Sequence, residues 1–410
     1  MKLFFNLFFI LFLFGSGFAQ KITPEIQVEN AILLKKQDSA MYYLHQLPDT
    51  EYKKSLQKII KNNNPSYKDY YKFTSKVCNR REFNYVEMSN YINSTIRTPL
   101  NKVKIDLDYV RIKWTQIGKL RDEITIAEAS KEQEKLDQYI ELFPSGTIDI
   151  QKAKILSSTH QIVLYVIEKN VKDGKKICLD NLKKSRELND PFLEILSLYS
   201  LCDFLIFEGD LDGYIKTSEE SLAIEKKQGE RSSYYVGTII HLLDAYIYKG
   251  GKDQQILSLL AELYSDKNTR DLSYSLYAKF LGTLKNKPLI QKIIFNQFKV
   301  SNMLEFGKKT TIIGKKSLNP SDLYHLQREL ADAHIANGFY KEGVTYMKQA
   351  NMLTQKIYAK DLSNSLANYK TTQAVSKKEL EIKSEKQKTS FYTIIAILVG
   401  ALLLVSFTTK

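Results

Sequence analysis

One nine-residue phrase, Leu-x-Asp-x-x-Ile-x-x-Gly, stands three times in this chain: at Leu201, Asp203, Ile206 and Gly209, at Leu242, Asp244, Ile247 and Gly250, and at Leu330, Asp332, Ile335 and Gly338. The first two copies lie 41 residues apart and the last two 88, about two periods with one degenerate unit between. Short units that recur at such a period cannot bury an apolar face alone and must stack on their neighbours. The phrase therefore predicts an all-α solenoid of antiparallel helix pairs. Its closing glycine predicts a left-handed residue at the end of each first helix.

Composition agrees with helices. Glycine and proline number only 17 and 8 in 410 residues, while 43% of the chain is hydrophobic and 26% charged, the balance of an ordered chain. The net charge of +14 is mostly lysine and spread thinly. With no arginine-rich cluster or basic aromatic stripe, direct nucleic-acid binding is not expected. Cys78, Cys178 and Cys202 cannot all pair; buried free thiols are the default expectation, with a Cys178–Cys202 bond in an oxidising compartment as the alternative, the two being near in the repeat reading.

The two ends suggest export and anchoring. Lys2, the apolar run Leu3 to Phe14, and small residues up to Ala19 form the layout of a signal peptide over 1–19. Phe391 to Phe407 holds seventeen residues without a charge, about 25 Å of helix, which predicts one C-terminal transmembrane helix. The expectation is a single-pass membrane protein whose main domain is exported, on the periplasmic side of the inner membrane in a bacterium. A tail at 408–410 would stay inside. Residues 359–390 form a charged juxtamembrane helix whose Lys377, Lys378, Lys383, Lys386 and Lys388 suit an anionic surface. Leu362, Leu366, Tyr369 and Leu380 make a thin coiled-coil seam, enough for a weak homodimer.

Between the ends, 20–146 reads as an N-terminal helical region and 147–358 as the repeats. Two or three helices fit between Thr23 and Tyr70, residues 78–99 look irregular, as a long loop or a poorly packed pair of short helices over Cys78 to Asn101, and Lys102 to Leu142 is strongly helical with Val103, Leu107, Val110 and Trp114 on one face. The expected pairs are Ile148 to Asn170 with Lys175 to Leu188, Pro191 to Phe207 with Leu211 to Lys227, and Ser232 to Tyr248 with Gln254 to Tyr264. A decayed pair follows, Asp271 to Lys285 with Pro288 to Phe306, where Leu276, Ala278, Leu281 and Leu284 stand for the phrase. Ser321 to Asn337 with Tyr340 to Tyr358 completes the array.

Leu330-Ala331, His334, Gly338, Tyr340, Met347, Ala350 and Leu353 fall at the spacings of a tetratricopeptide repeat, with Gly343 where alanine is usual, and 148–358 resembles that family. The wider layout, with Leu366-Ala367-Asn368-Tyr369-Lys370-Thr371-Thr372 before the charged run, resembles membrane-anchored tetratricopeptide sensors of Bacteroidetes-type bacteria. In those proteins a DNA-binding or histidine-kinase module follows the span; here three residues follow.

Catalytic motifs are absent from the sequence. His45, His160, His241, His325 and His334 include no His-Glu-x-x-His pair, and there is no Gly-x-Ser-x-Gly elbow, phosphate loop or Cys-x-x-Cys. Neither an enzyme nor a cofactor or metal is expected. The recurrent acids Asp203, Asp244 and Asp332, joined by Glu168 if Gly174 is its turn glycine, take one place in successive first helices. The resemblance implies a concave ladder of carboxylates, with Tyr199, Tyr248, His325 and Arg328 around it as partner-binding residues. Acids in such places also bond neighbouring helices or solvent. The leading expectation is an exported, membrane-anchored scaffold that binds a protein or peptide through its concave face, by protein-protein interaction. The alternatives are the sensor portion of a signalling or transcription regulator lacking its output module, and an enzyme with a site assembled from distant residues.

Overall fold

The computed structural model describes residues 23–78, 85–100, 103–123, 126–228, 232 and 234–355, and all regular structure among them is helical. The N-terminal part consists of α1 (Pro24–Leu33), α2 (Gln37–His45), α3 (Glu51–Ile60), α4 (Tyr67–Cys78), α5 (Tyr85–Thr95), α6 (Leu107–Glu123) and α7 (Ile126–Glu141). Then come α8 (Ile148–Glu168) with α9 (Val171–Glu187), α10 (Pro191–Glu208) with α11 (Leu211–Lys227), and α12 (Tyr235–Lys249) with α13 (Asp253–Ser265). The last elements are α14 (Ser273–Thr283), α15 (Pro288–Phe298), α16 (Met303–Ser317), α17 (Pro320–Ala336), and α18, helical over 340–355.

Local chemistry sets these boundaries. Asp190, Asp210, Asn302 and Asn319 each cap a helix by accepting a hydrogen bond from the backbone N–H three residues on, at 3.2, 2.9, 3.0 and 2.8 Å. Proline opens α10, α15 and α17, where its missing N–H costs nothing. Gly209, Gly250 and Gly338 lie at φ of +72°, +73° and +87°, and Leu201, Leu242 and Leu330 are buried, as the repeated phrase requires.

Elsewhere the structure departs from the expected elements. Residues 85–95 form a well-packed helix with Met88, Tyr91 and Ile92 buried, where a long loop or a poorly packed pair of short helices was expected. The long stretch from 102 to 142 is two helices, α6 and α7, packed on each other across a buried Lys113–Glu132 ion pair. Residues 288–306 are also two helices, because Lys299 turns left-handed at φ +51° and Asn302 caps a new helix. The decayed phrase in α14 has a packing reason. Leu276, Ala278, Leu281 and Leu284 are all buried, and α14 runs so close to α17 that a Cβ on Gly282 would stand 3.3 Å from Ala333 Cα. An aspartate there would have no water.

Two apolar cores result. One runs from Val28 to Leu196 and the other from Ile162 to Tyr346. They interlock along α8 and α10, each of which gives its first half to one core and its second half to the other: Ile155 and Leu193 to the first, Ile162 and Leu201 to the second.

The membrane-anchored architecture is corrected. Among the described residues no helix is long and apolar enough to cross a membrane, so the fold is an all-α, tetratricopeptide-like helical array and the single-pass placement and membrane partner are not retained. The expected signal peptide over 1–19, juxtamembrane helix over 359–390 with its seam, span over 391–407 and tail over 408–410 lie outside the described residues.

Candidate functional site

The start of α10 is held firmly: Asp190 caps it and also receives Lys152 Nζ of α8 at 2.7 Å. From that fixed start, Phe192, Tyr199 and Asp203 project from one face at helical spacing. Rings then run continuously from α6 across α10 to α12. Trp114 meets Phe192 edge-on with centroids 5.7 Å apart, Phe192 meets Tyr234 at 6.3 Å, and Tyr234 meets Tyr199 at 4.9 Å. Tyr199 stacks on His241 at 4.6 Å and 16°. Gly237 makes that approach possible, because a Cβ there would lie 2.7 Å from the Tyr199 ring. Trp114 is anchored by donating Nε1–H to Thr159 Oγ1 at 2.8 Å.

Trp114, Phe192, Tyr199 and Tyr234 line a cleft of about 1140 Å³ bounded by α3, α4, α6, α8, α10 and α12. One wall carries Lys72 and Lys76 of α4 with Lys119 and Arg121 of α6; another carries Asp203. Asp203 makes no hydrogen bond or ion pair with the described residues, and burial pushes its carboxyl up to about 6. Two imidazoles are held neutral nearby. Burial brings His241 down to about 4, and burial together with the Arg121 charge lowers His160. His160 lies in the wall with Nε2 3.1 Å from Ser130 Oγ, and its buried Nδ1 has no hydrogen-bond partner among the described residues.

Of the eight residues singled out in the sequence, Tyr199 and Asp203 reach this cleft. The other acids go elsewhere. Asp244 accepts from Lys279 of α14 at 2.7 Å, and Asp332 is exposed on α17. Glu168 is exposed and is not an equivalent position: Gly174 lies inside α9, and the left-handed residue of that unit is Lys169 at φ +55°. Counting back six places, the counterpart of Asp203 is Val163, which also lines the cleft. Tyr248 is 82% exposed beyond the cleft. His325 and Arg328 cluster around Tyr324, with the guanidinium donating to its hydroxyl at 3.1 Å.

Sequence reasoning missed Phe192, Tyr234, His160 and the cationic wall. Gly237, a lone glycine within a helix rich in rings, was the one available signal of a close approach. The three thiols are free and buried, pushed up to about 12 by burial, so the considered Cys178–Cys202 bond is not formed. Among the described residues no group of three or more His, Cys, Asp or Glu is placed to hold a metal.

No protein-family model matches the chain, and no curated protein does. Among solved structures, the chain is similar to a Rap protein complexed with competence and sporulation factor, at 10% identity and a TM-score of 0.45, over 82% of this chain and 98% of that one. It is also similar to the apo form of RapI, at 12% identity and a TM-score of 0.37 over the same shares. The structural neighbours reported are thus Rap proteins in place of the membrane-anchored Bacteroidetes-type sensors suggested by the sequence, and that recognition is corrected.

Proposed function

We propose that the described residues form the sensing part of a regulator, which takes an extended peptide into the ring-lined cleft. This replaces the membrane-anchored scaffold as the functional reading. The observation that carries it is the unbroken chain of rings Trp114, Phe192, Tyr234 and Tyr199, open to a cleft with charged groups on its walls, with His241 stacked on Tyr199 outside the lining. Flat rings interspersed with a few polar groups suit alternating side chains of an extended peptide. The regulatory part of the reading rests on where the cleft lies. Its walls belong to both apolar cores, so an occupant that touches both changes how firmly they are coupled. The reading gives the cleft a binding role and no catalytic one.

The chain supplies its own reporter. Trp114 is the sole tryptophan and stands in the cleft wall. Titrating the protein with pools of synthetic peptides should shift tryptophan emission for those with aromatic and aliphatic side chains. The Phe192→Ala/Tyr199→Ala variant should lose the response by about tenfold or more in affinity while keeping its helical signal. An unchanged response in that variant would place the peptide site elsewhere.

A further inference from the structure

We infer that the ligand of this cleft is a short peptide with opposite charges towards its two ends, a carboxylate received by Lys72 and Lys119 and a cationic group received by Asp203. This rests on the peptide-binding reading above and adds the chemistry of the occupant.

The argument is one of leftover charge. Several ionised groups in the cleft wall are already satisfied within the protein. Glu225 accepts from the Ser232 amide at 3.0 Å and from its hydroxyl, Glu51 pairs with Lys54 at 3.0 Å, and Lys76 pairs with Glu25. Three groups are not. Lys72 and Lys119 are half-buried and make no ion pair among the described residues, Lys72 acting on the exposed Glu51 carboxylate only at longer range; Lys119 stands 5.7 Å over the Tyr85 ring. Asp203 has no partner at all among them. Half-buried charges left without counter-charges cost solvation, and a bound group of opposite sign recovers it.

The leftover charges also segregate. The two ammonium groups are on α4 and α6, the carboxylate is on α10, and the ring chain starting at Trp114 lies between the helices. Among the described residues no cation stands near enough to Asp203 to lower its carboxyl, so the two charge sites do not neutralise one another. A single apolar peptide would leave all three groups stripped of water. A uniformly acidic or basic one would satisfy one site and oppose the other.

The probe is a set of four octapeptide pools, capped at both termini so that only side chains carry charge. Eight extended residues reach up to about 26 Å, more than the roughly 16 Å of α10 between Phe192 and Asp203. Each pool has the same randomised core of Leu, Phe, Tyr, Val, Ser and Asn. The flanks are Lys and Glu, Glu and Lys, norleucine with Glu, or Lys with Gln, the last two built on whichever charged order is retained better. Peptides retained by the purified full chain are counted by mass spectrometry.

One doubly charged order should exceed its singly charged counterparts by on the order of tenfold. Lys72→Gln/Lys119→Gln should erase the preference for Glu over Gln and keep that for Lys over norleucine. Asp203→Asn should do the reverse. Lys72→Arg/Lys119→Arg should keep both preferences, which separates lost charge from lost folding. Equal retention of all pools, or a charge-removing variant (Lys72→Gln/Lys119→Gln or Asp203→Asn) that erases both preferences or neither, would overturn the charge pairing while leaving the cleft a peptide site. Retention of no pool at all would overturn both readings.

Discussion

Asp203 shows how one side chain is left unhelped by its own fold. Burial alone raises its carboxyl from 3.8 to about 6, so between those values the folded protein binds a proton that the unfolded chain has released. Stability from this group is therefore lost as pH rises towards and through 6 and restored below 4. Asp203→Asn should raise stability at pH 8 by roughly 1–2 kcal/mol after solvent screening, and the gain should vanish near pH 4. The groups around it do not confuse the measurement. The Cys178 and Cys202 thiols are pushed up to about 12, burial raises the Tyr214 phenol, and His241 is down at about 4, so none changes charge between pH 5 and 8. Thermal melts of both proteins at pH 4.5 and pH 8 decide it; an equal gain at both would place the effect in packing. Asp244 occupies the same letter of the repeated phrase and should behave oppositely. Its ion pair with Lys279 is 41% and 33% exposed, so Asp244→Asn should cost under about 1 kcal/mol. The shared letter was legible in the sequence, but its fate depends on the facing helix, which the sequence does not align.

Glycine divides the elements by the same logic. Gly209 ends α10 in the left-handed region with open space around it, so Gly209→Ala should cost about 1 kcal/mol through backbone strain alone. Gly174, a turn glycine only on the condition that Glu168 joins the acid ladder, sits within α9 where a Cβ would stand 2.1 Å from the Phe204 ring. Gly174→Ala should cost roughly 1–3 kcal/mol, and Phe204→Leu should recover part of that loss because the two changes share one space. Chemical denaturation of the two single variants and the double variant gives the coupling; strict additivity would mean that the ring moves aside freely. The repeat phrase made α10, α12 and α17 legible, since each pairs a helical stripe with a helix-ending glycine. By contrast, nothing in the sequence divides α6 from α7 within the helical stretch, because the break between them carries no Pro or Gly signal and their contact uses Lys113 and Glu132, polar residues that mimic an exposed face. For α15 and α16 the break is a left-handed lysine, which no composition rule marks. The cleft was half legible for a similar reason: Asp203 and the rings of Phe192, Tyr199 and Tyr234 lie in the repeats, whereas its cations and Trp114 come from helices outside them.

At the scale of the whole molecule, α8 and α10 are the shared beams of two cores, and the cleft opens along them. Each beam is anchored twice. Ile155 and Leu156 of α8 pack in the first core and Ile162 in the second, while Leu193 and Leu196 of α10 pack in the first and Leu201, Phe204 and Leu205 in the second. The cores can thus shift against one another only by straining these helices or the ring contacts between them, of which Trp114–Phe192 and Tyr199–His241 bridge different elements. An occupant seated on those rings adds contacts to both sides and so protects both from local opening. Amide hydrogen exchange should slow on peptide binding in α4 and α6 and, together, in α10 and α12, while α15 and α16, away from the cleft, should exchange unchanged. The Phe192→Ala/Tyr199→Ala variant should show none of the coordinated slowing at a peptide concentration that saturates the parent. Protection confined to α10 and α12 would mean that the peptide rests on the repeats alone, and the coupling of the two cores, with the regulatory reading built on it, would then fail.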